Sequence, residues 1–216
     1  MITARVSHVS AFARWKHDED ASIDYLINSI LSDSPTEAMA KGTAFHKFLE
    51  HAHSGYSTRR VTIDGYTFAF VGEFEFYLPL IREVRQNKNY GGVIVSGQLD
   101  AIEGKSIFDH KTTERFDAEN YLESWQWRFY LDIFGADRFT WNVWEMNELK
   151  NDAPEGSPMA GTTAYGVHHL HQLTQYRYPA LESDCAELAQ EYRDFALQYM
   201  PQLDVEMLAD CKDGCL

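Results

Sequence analysis

No apolar run in this chain approaches the roughly 20 residues that a membrane-crossing helix needs. The opening stretch, MITARVSHVSAFARWKHDED, has no apolar segment of the kind a secretory leader carries. The expectation is therefore a cytoplasmic protein without a membrane partner. Cysteine is scarce: Cys185, Cys211 and Cys215 are too few and too widely spaced for a zinc or iron–sulfur framework. Free thiols in a reducing compartment, and no iron–sulfur cluster, are expected. Basic charge is short as well. Nineteen Lys and Arg stand against 33 Asp and Glu, a net charge of −14, which excludes a generally basic nucleic-acid coat. The deficit is uneven. Residues 59–115 hold eight basic and eight acidic side chains, whereas residues 145–216 hold four and thirteen. No internal repeat or low-complexity run appears.

What is present is the composition of an ordinary globular protein. At 216 residues, 44% of them hydrophobic, the chain suffices for one domain over 1–216 with a sizeable core. Ser10 is a candidate N-cap for a short helix through Trp15, and apolar spacing predicts a second helix over 20–31. Thr36 caps a stronger one, Glu37 to about Ala52, with Ala38, Phe45, Phe48, Leu49 and Ala52 as its buried stripe. Gly42 inside it costs about 1 kcal/mol against alanine, so a close neighbour is expected there.

Asp64-Gly65 marks a hairpin within 60–70, and 73–78 alternates like a strand. Three strands, 80–88, 93–100 and 106–111, then form an antiparallel meander. A single long helix is expected from a cap at Asp117 to Gly135, followed by strands over 138–146 and 164–172 around a long loop. A C-terminal helix over 181–199 and a loose acidic tail over 201–216 complete the order. With the core at about 36–172, the layer rules give an α/β or α+β fold, helices covering a mixed sheet.

The chemistry concentrates in Gly97–Lys111, GQLDAIEGKSIFDHK. Two short strands meet at Glu103-Gly104, with Asp100 on one and Asp109 and Lys111 on the other. Neighbouring strands lie about 4.8 Å apart, so Asp100 and Asp109 can share Mg²⁺ or Mn²⁺, hard cations that take carboxylate oxygens. Lys111 can steady charge on a phosphate or polarise a water. The bland alternative is a surface ion pair at a strand end. His46 on the helix before can aim at the same metal, and Gln126 and Tyr130 are a Q-x-x-x-Y pair on the helix after. His169 and His171 share a strand face and are expected in solvent, with no carboxylate near in sequence. Trp125 falls on the apolar line, and Trp127 is the better candidate for exposed base contact.

GTAFHKFLE, GQLDAI, IFDHKTT and SWQWRFYL, in this order, resemble the PD-(D/E)XK nuclease superfamily, in its RecB-like and bacteriophage-exonuclease branch. The resemblance covers about residues 36–146 and implies a restriction-endonuclease-like αβββαβ core. It implies Asp100, Asp109 and Lys111 as catalytic residues, with His46, Asp100 and Asp109 as metal ligands. Gln126 and Tyr130 would face the substrate, DNA, and Thr112 and Trp127 join them as candidates. An upstream acidic residue often completes such a site. Glu83 is the candidate, with Glu73 and Glu75 behind it, although Glu83 can equally serve Arg82 or Arg85. Gln98-Leu99 stands where the motif's proline would be. The implied activity is a metal-dependent exonuclease in recombination, repair or phage DNA processing, in a bacterial or phage-infected cell. The acidity motivates an alternative: a nuclease-fold subunit that acts only with a recombination or replication partner.

Overall fold

The structure is a computed structural model that describes residues 1–18, 20–32, 35–52, 59–72, 74, 76–150, 153, 155–201 and 203. Strand β1 (Ile2–Arg5) leads into helix α1 (Val6–His17), followed by α2 (Ile23–Leu31) and α3 (Glu37–His51). Then come β2 (Arg60–Ile63), β3 (Tyr66–Phe70), β4 (Ile81–Asn89), β5 (Val93–Glu103) and β6 (Ser106–Thr113). The remainder is α4 (Ala118–Leu122), α5 (Gln126–Ile133), β7 (Arg138–Leu149), β8 (Thr163–Tyr176) and α6 (Leu181–Tyr199).

Among the described residues the strands form one mixed sheet in the order β1-β5-β6-β7-β8-β3-β2, with β4 on the other edge of β5. Helices flank this central sheet. Strand β7 shows why both faces are covered. Phe139, Trp141 and Val143 enter a core with α1, α5 and α6, while Trp144 and Met146 enter a second core with α3. Successive side chains on a strand point to opposite faces, so a run buried on both sides marks a central strand.

Several expectations take a different form. The N-terminal strand β1 lies parallel to β5. Ser10 is not a cap but a buried residue inside α1, 3.3 Å from Ser124 Oγ. The expected helix over 118–134 is two helices, because Ser124 accepts the Gln126 N–H and starts a new one. This break rotates the second segment. Trp127 is consequently buried, its indole N–H bonded to the Leu122 carbonyl, and Trp125 is the more exposed of the two. The expectation of an exposed Trp127 is therefore corrected.

Residues 74 and 76–78 form no strand, and Glu73 and Glu75 lie outside the described residues. Phe74, Phe76 and Leu78 instead lie against the α3 core, with Phe76 5.0 Å from Trp144, so their alternation reflects packing rather than pairing. The tail expected over 201–216, with Cys211 and Cys215, lies almost wholly outside the described residues; Cys185 is a buried free thiol.

Helix α3 starts as expected, with Thr36 Oγ1 accepting the Met39 N–H. Ala38 is exposed, and Lys41 takes its place in the buried set. The Lys41 amine pairs with Glu114 at 3.2 Å and sits 4.6 Å over the Tyr165 ring, so the charge is buried with partners. The other end of α3 is clasped by Arg82 on β4. Its Nη1 reaches the Leu49, Glu50 and Ala52 carbonyls at 3.0, 2.6 and 2.8 Å, and its Nε donates to the Pro79 carbonyl at 2.7 Å. Carbonyls at a helix C-terminus lack partners within the helix and attract cations.

The close neighbour of Gly42 is Thr112 Oγ1, 3.5 Å from where a Cβ would stand, an ordinary contact. Gly42→Ala should thus raise stability by about 0.5–1 kcal/mol, read as a higher urea midpoint.

Candidate active site

Strand β5 has to serve two partners along one edge. Its residues 93–96 pair with β1, and its residues 101–103 pair with β6. Between them, Gly97, Gln98, Leu99 and Asp100 have no strand partner on that edge. Buried backbone groups left without ladder bonds need other partners, and side chains supply them here. The Tyr130 hydroxyl donates to the Gln98 carbonyl at 2.8 Å. The His110 N–H donates to Asp100 Oδ2 at 2.6 Å. Gly97 makes the first of these feasible. A Cβ there would stand 2.9 Å from the Tyr130 ring and 3.3 Å from Val6.

Ala101 pairs with Phe108, so continuing that register one step sets Asp100 opposite Asp109. Lys111, two residues on, places its amine 2.6 Å from Asp109 Oδ2 and 5.4 Å over the Trp141 ring. From α3, His46 Nδ1 comes within 3.4 Å of Asp100 Oδ2. The structure thus brings together His46, Asp100, Asp109 and Lys111 from three elements. Glu83 on β4 lines one pocket with His46, Asp100 and His110, joined by Glu50 and Arg82.

The charges are strongly coupled. Burial raises the Asp109 pKa, and with the Asp100 charge it outweighs Lys111, so Asp109 is pushed up to about 6. Burial acts the same way on Asp100, but the His46 hydrogen bond and charge overcome it and hold that carboxyl well below its usual range. Burial works against the charge of His46, yet Asp100 lifts it above its ordinary value. Burial would also lower Lys111, but Asp109 and Asp100 raise it, so the amine stays charged near neutrality. It is a fixed cation rather than a base.

Among the described residues no three His, Cys, Asp or Glu side chains converge closely enough, as they stand, to hold a metal ion. The donor chemistry nevertheless fits a hard divalent cation. Asp109 Oδ2 is buried and is approached at 2.6 Å by the Lys111 amine, an oxygen ligand of the kind such a cation takes.

The remaining expected residues are placed as follows. Gln126 is half-buried, with its amide nitrogen 3.3 Å from the Tyr130 hydroxyl, and Tyr130 is itself buried against Gly97 and Phe139. Thr112 is half-buried and faces Gly42. Trp127 is remote in role, being part of the core. His171 is not simply solvated: it lies 2.7 Å from Glu145 and stacks on Phe116 at 3.9 Å. That carboxylate comes from β7, far off in sequence.

Sequence reasoning missed His110. It is buried, its Nδ1 accepts from the Trp144 indole at 3.3 Å, and burial pushes its pKa down to about 4. Its place between Asp109 and Lys111 was the available signal. Arg82 gave none, because its partners are backbone carbonyls some thirty residues away.

Two predictions follow from this geometry. Gly97→Ala should displace Tyr130 and cost about 1–3 kcal/mol, read as a lower unfolding midpoint. The second concerns pH. Between about 6.5 and 4 folded His110 binds fewer protons than the unfolded chain, so its contribution is full above 6.5 and drains away as pH falls, by about 3 kcal/mol at most. Asp109 runs the other way. Between about 4 and 6 the folded state keeps a proton that the unfolded chain has lost, so stability falls as pH rises. Asp109→Asn should therefore lose stability more steeply than the parent on acidification from 6.5 to 4, and His110→Gln less steeply. Denaturant melts across that range test both.

The chain matches no family model and no curated protein. Among solved structures it is similar to SSO0001, at 15% identity over 88% of this chain and 74% of that one, TM-score 0.44. It is also similar to the alkaline exonuclease LHK-Exo from Laribacter hongkongensis. In that enzyme's complex with dAMP the identity is 12% over 97% and 93% of the two chains, TM-score 0.46. A phage-related exonuclease from Haemophilus somnus 129PT has 15% identity over 92% and 96%, TM-score 0.40.

Proposed function

We propose that this protein is a divalent-metal-dependent deoxyribonuclease, an exonuclease that hydrolyses phosphodiester bonds in recombination, repair or phage DNA processing. The observation that carries the reading is the β5–β6 register, which continued one step sets Asp100 opposite Asp109, with the charged Lys111 amine between Asp109 and the Trp141 ring. The motif resemblance over residues 36–146 supports the substrate class.

Asp100, Asp109 and His46 would hold Mg²⁺ or Mn²⁺, with Glu83 as a further carboxylate. When bound, the ion supplies Lewis-acid polarisation of phosphate and a more acidic water. The chain's own residues do the rest. Lys111 remains protonated and offsets negative charge that builds on phosphate oxygens. His46 Nδ1 lies beside Asp100 and would be neutral when it holds the ion, and the His110 backbone N–H fixes the orientation of the Asp100 carboxylate. Tyr130 donates to the Gln98 carbonyl, and Gln126 beside it and Thr112 are the candidate substrate-side groups. In the reaction a water oxygen bonds to phosphorus, the P–O ester bond breaks, and the departing oxygen takes a proton. The net charge of −14 opposes tight unaided binding of long duplexes.

The test is cleavage of end-labelled linear and covalently closed circular DNA, single- and double-stranded, in Mg²⁺ and Mn²⁺. Mononucleotide release from linear DNA is expected, reduced by roughly 10³-fold or more in Asp109→Asn and Lys111→Ala. A wild type as inert as Asp109→Asn on every substrate, with no calorimetric metal uptake, would overturn the reading.

A further inference from the structure

Among the described residues only Asp64 and Glu83 are non-glycine residues with positive φ, +48 and +53. Asp64 occupies the β2–β3 turn, where that conformation is expected. Glu83 lies inside β4, and no turn calls for it. Its neighbours pair regularly, Arg82 with Ala101 and Val84 with Leu99, and only the step opposite Asp100 drops out of the ladder. A left-handed conformation is disfavoured for a residue other than glycine, and such strain gathers at functional sites.

The distortion places Glu83 in the pocket shared with Asp100, His46 and His110. Its carboxylate is then held from the side. Glu83 Oε2 accepts from Gln98 Nε2 at 2.7 Å, and Gln98 Oε1 accepts from Arg85 Nη2 at 2.8 Å. A guanidinium only donates, so Arg85 fixes which end of the amide is oxygen and leaves the NH₂ group for Glu83. The three side chains form a directed relay.

We propose that Gln98, oriented by Arg85, is a positioning residue that holds the Glu83 carboxylate beside Asp100 as part of the cation site. This rests on the nuclease reading of that site. The relay lies at the surface, where such contacts add little to folding, so its effect belongs to the site and not to global stability.

Mn²⁺ titration calorimetry and urea melts on the full chain test this with Gln98→Met, Arg85→Met, Glu83→Gln, Glu83→Gly and the double variant Gln98→Met/Glu83→Gln. Gln98→Met should weaken Mn²⁺ binding roughly 10-fold with no change in unfolding midpoint, as loss of a ligand's supporting partner does. Arg85→Met should weaken it less, because the amide is then free to turn. The double variant should bind no more weakly than Glu83→Gln alone. Glu83→Gly should bind Mn²⁺ more weakly while unfolding at higher urea, since glycine relieves the strained φ. Wild-type affinity in Gln98→Met, or two independent losses that multiply in the double variant, would overturn the proposal. If Mn²⁺ uptake disappears in Asp109→Asn but is untouched by Gln98→Met, the relay falls and the nuclease reading stands. No uptake by the wild type sinks both.

Discussion

One edge of β5 is claimed by two strands, and the four residues between those claims have no ladder partner. Most of the site follows from that gap. Backbone groups in a sheet interior must be satisfied, and only side chains are available. Tyr130 reaches down through the space that Gly97 leaves open, and the Asp100 carboxylate takes the N–H of His110. A carboxylate that replaces a backbone carbonyl is held more firmly than one on a free side chain. It is also brought level with its counterpart on β6.

The electrostatics grow from the same crowding. Asp100 and Asp109 share a crowded corner with one lysine and one histidine, and burial pushes both carboxyl pKa values up. His46 settles the matter for Asp100, which stays ionised, and Asp109 keeps the poorer share of compensation. The corner holds one secure negative charge, one marginal one and one secure positive charge on Lys111.

Much of this was legible in the chain. The caps at Thr36 and Asp117, the Asp64-Gly65 turn, the β4–β5–β6 meander and the closing helix all carry local signals, and they appear where those signals lie. The nearness of Asp100, Asp109 and Lys111 was readable from strand spacing, with His46 on the preceding helix as a further expectation, and the structure gathers the four. The misses are of another kind. The four residues of β1 are too short a run for periodicity to register. Ser124 splits a helix without any glycine or proline to announce it, and this turned Trp127 inward. The Arg82 clasp, the Glu145–His171 pair and the left-handed Glu83 depend on contacts far apart in sequence or on backbone strain. Residue types alone do not encode these.

The sheet's two faces are cored separately. The larger core carries α1, α5 and α6 and backs the Asp109–Lys111 side, while the smaller one lies under α3 and is closed by Phe74, Phe76 and Leu78, a segment without ladder bonds. Elements with less buried surface open at lower free energy than the whole molecule. Helix α3, clasped by Arg82, therefore rests on the smaller of the two cores, and the lysine's strand on the larger. Amide exchange is then expected to be faster along α3 than along β6.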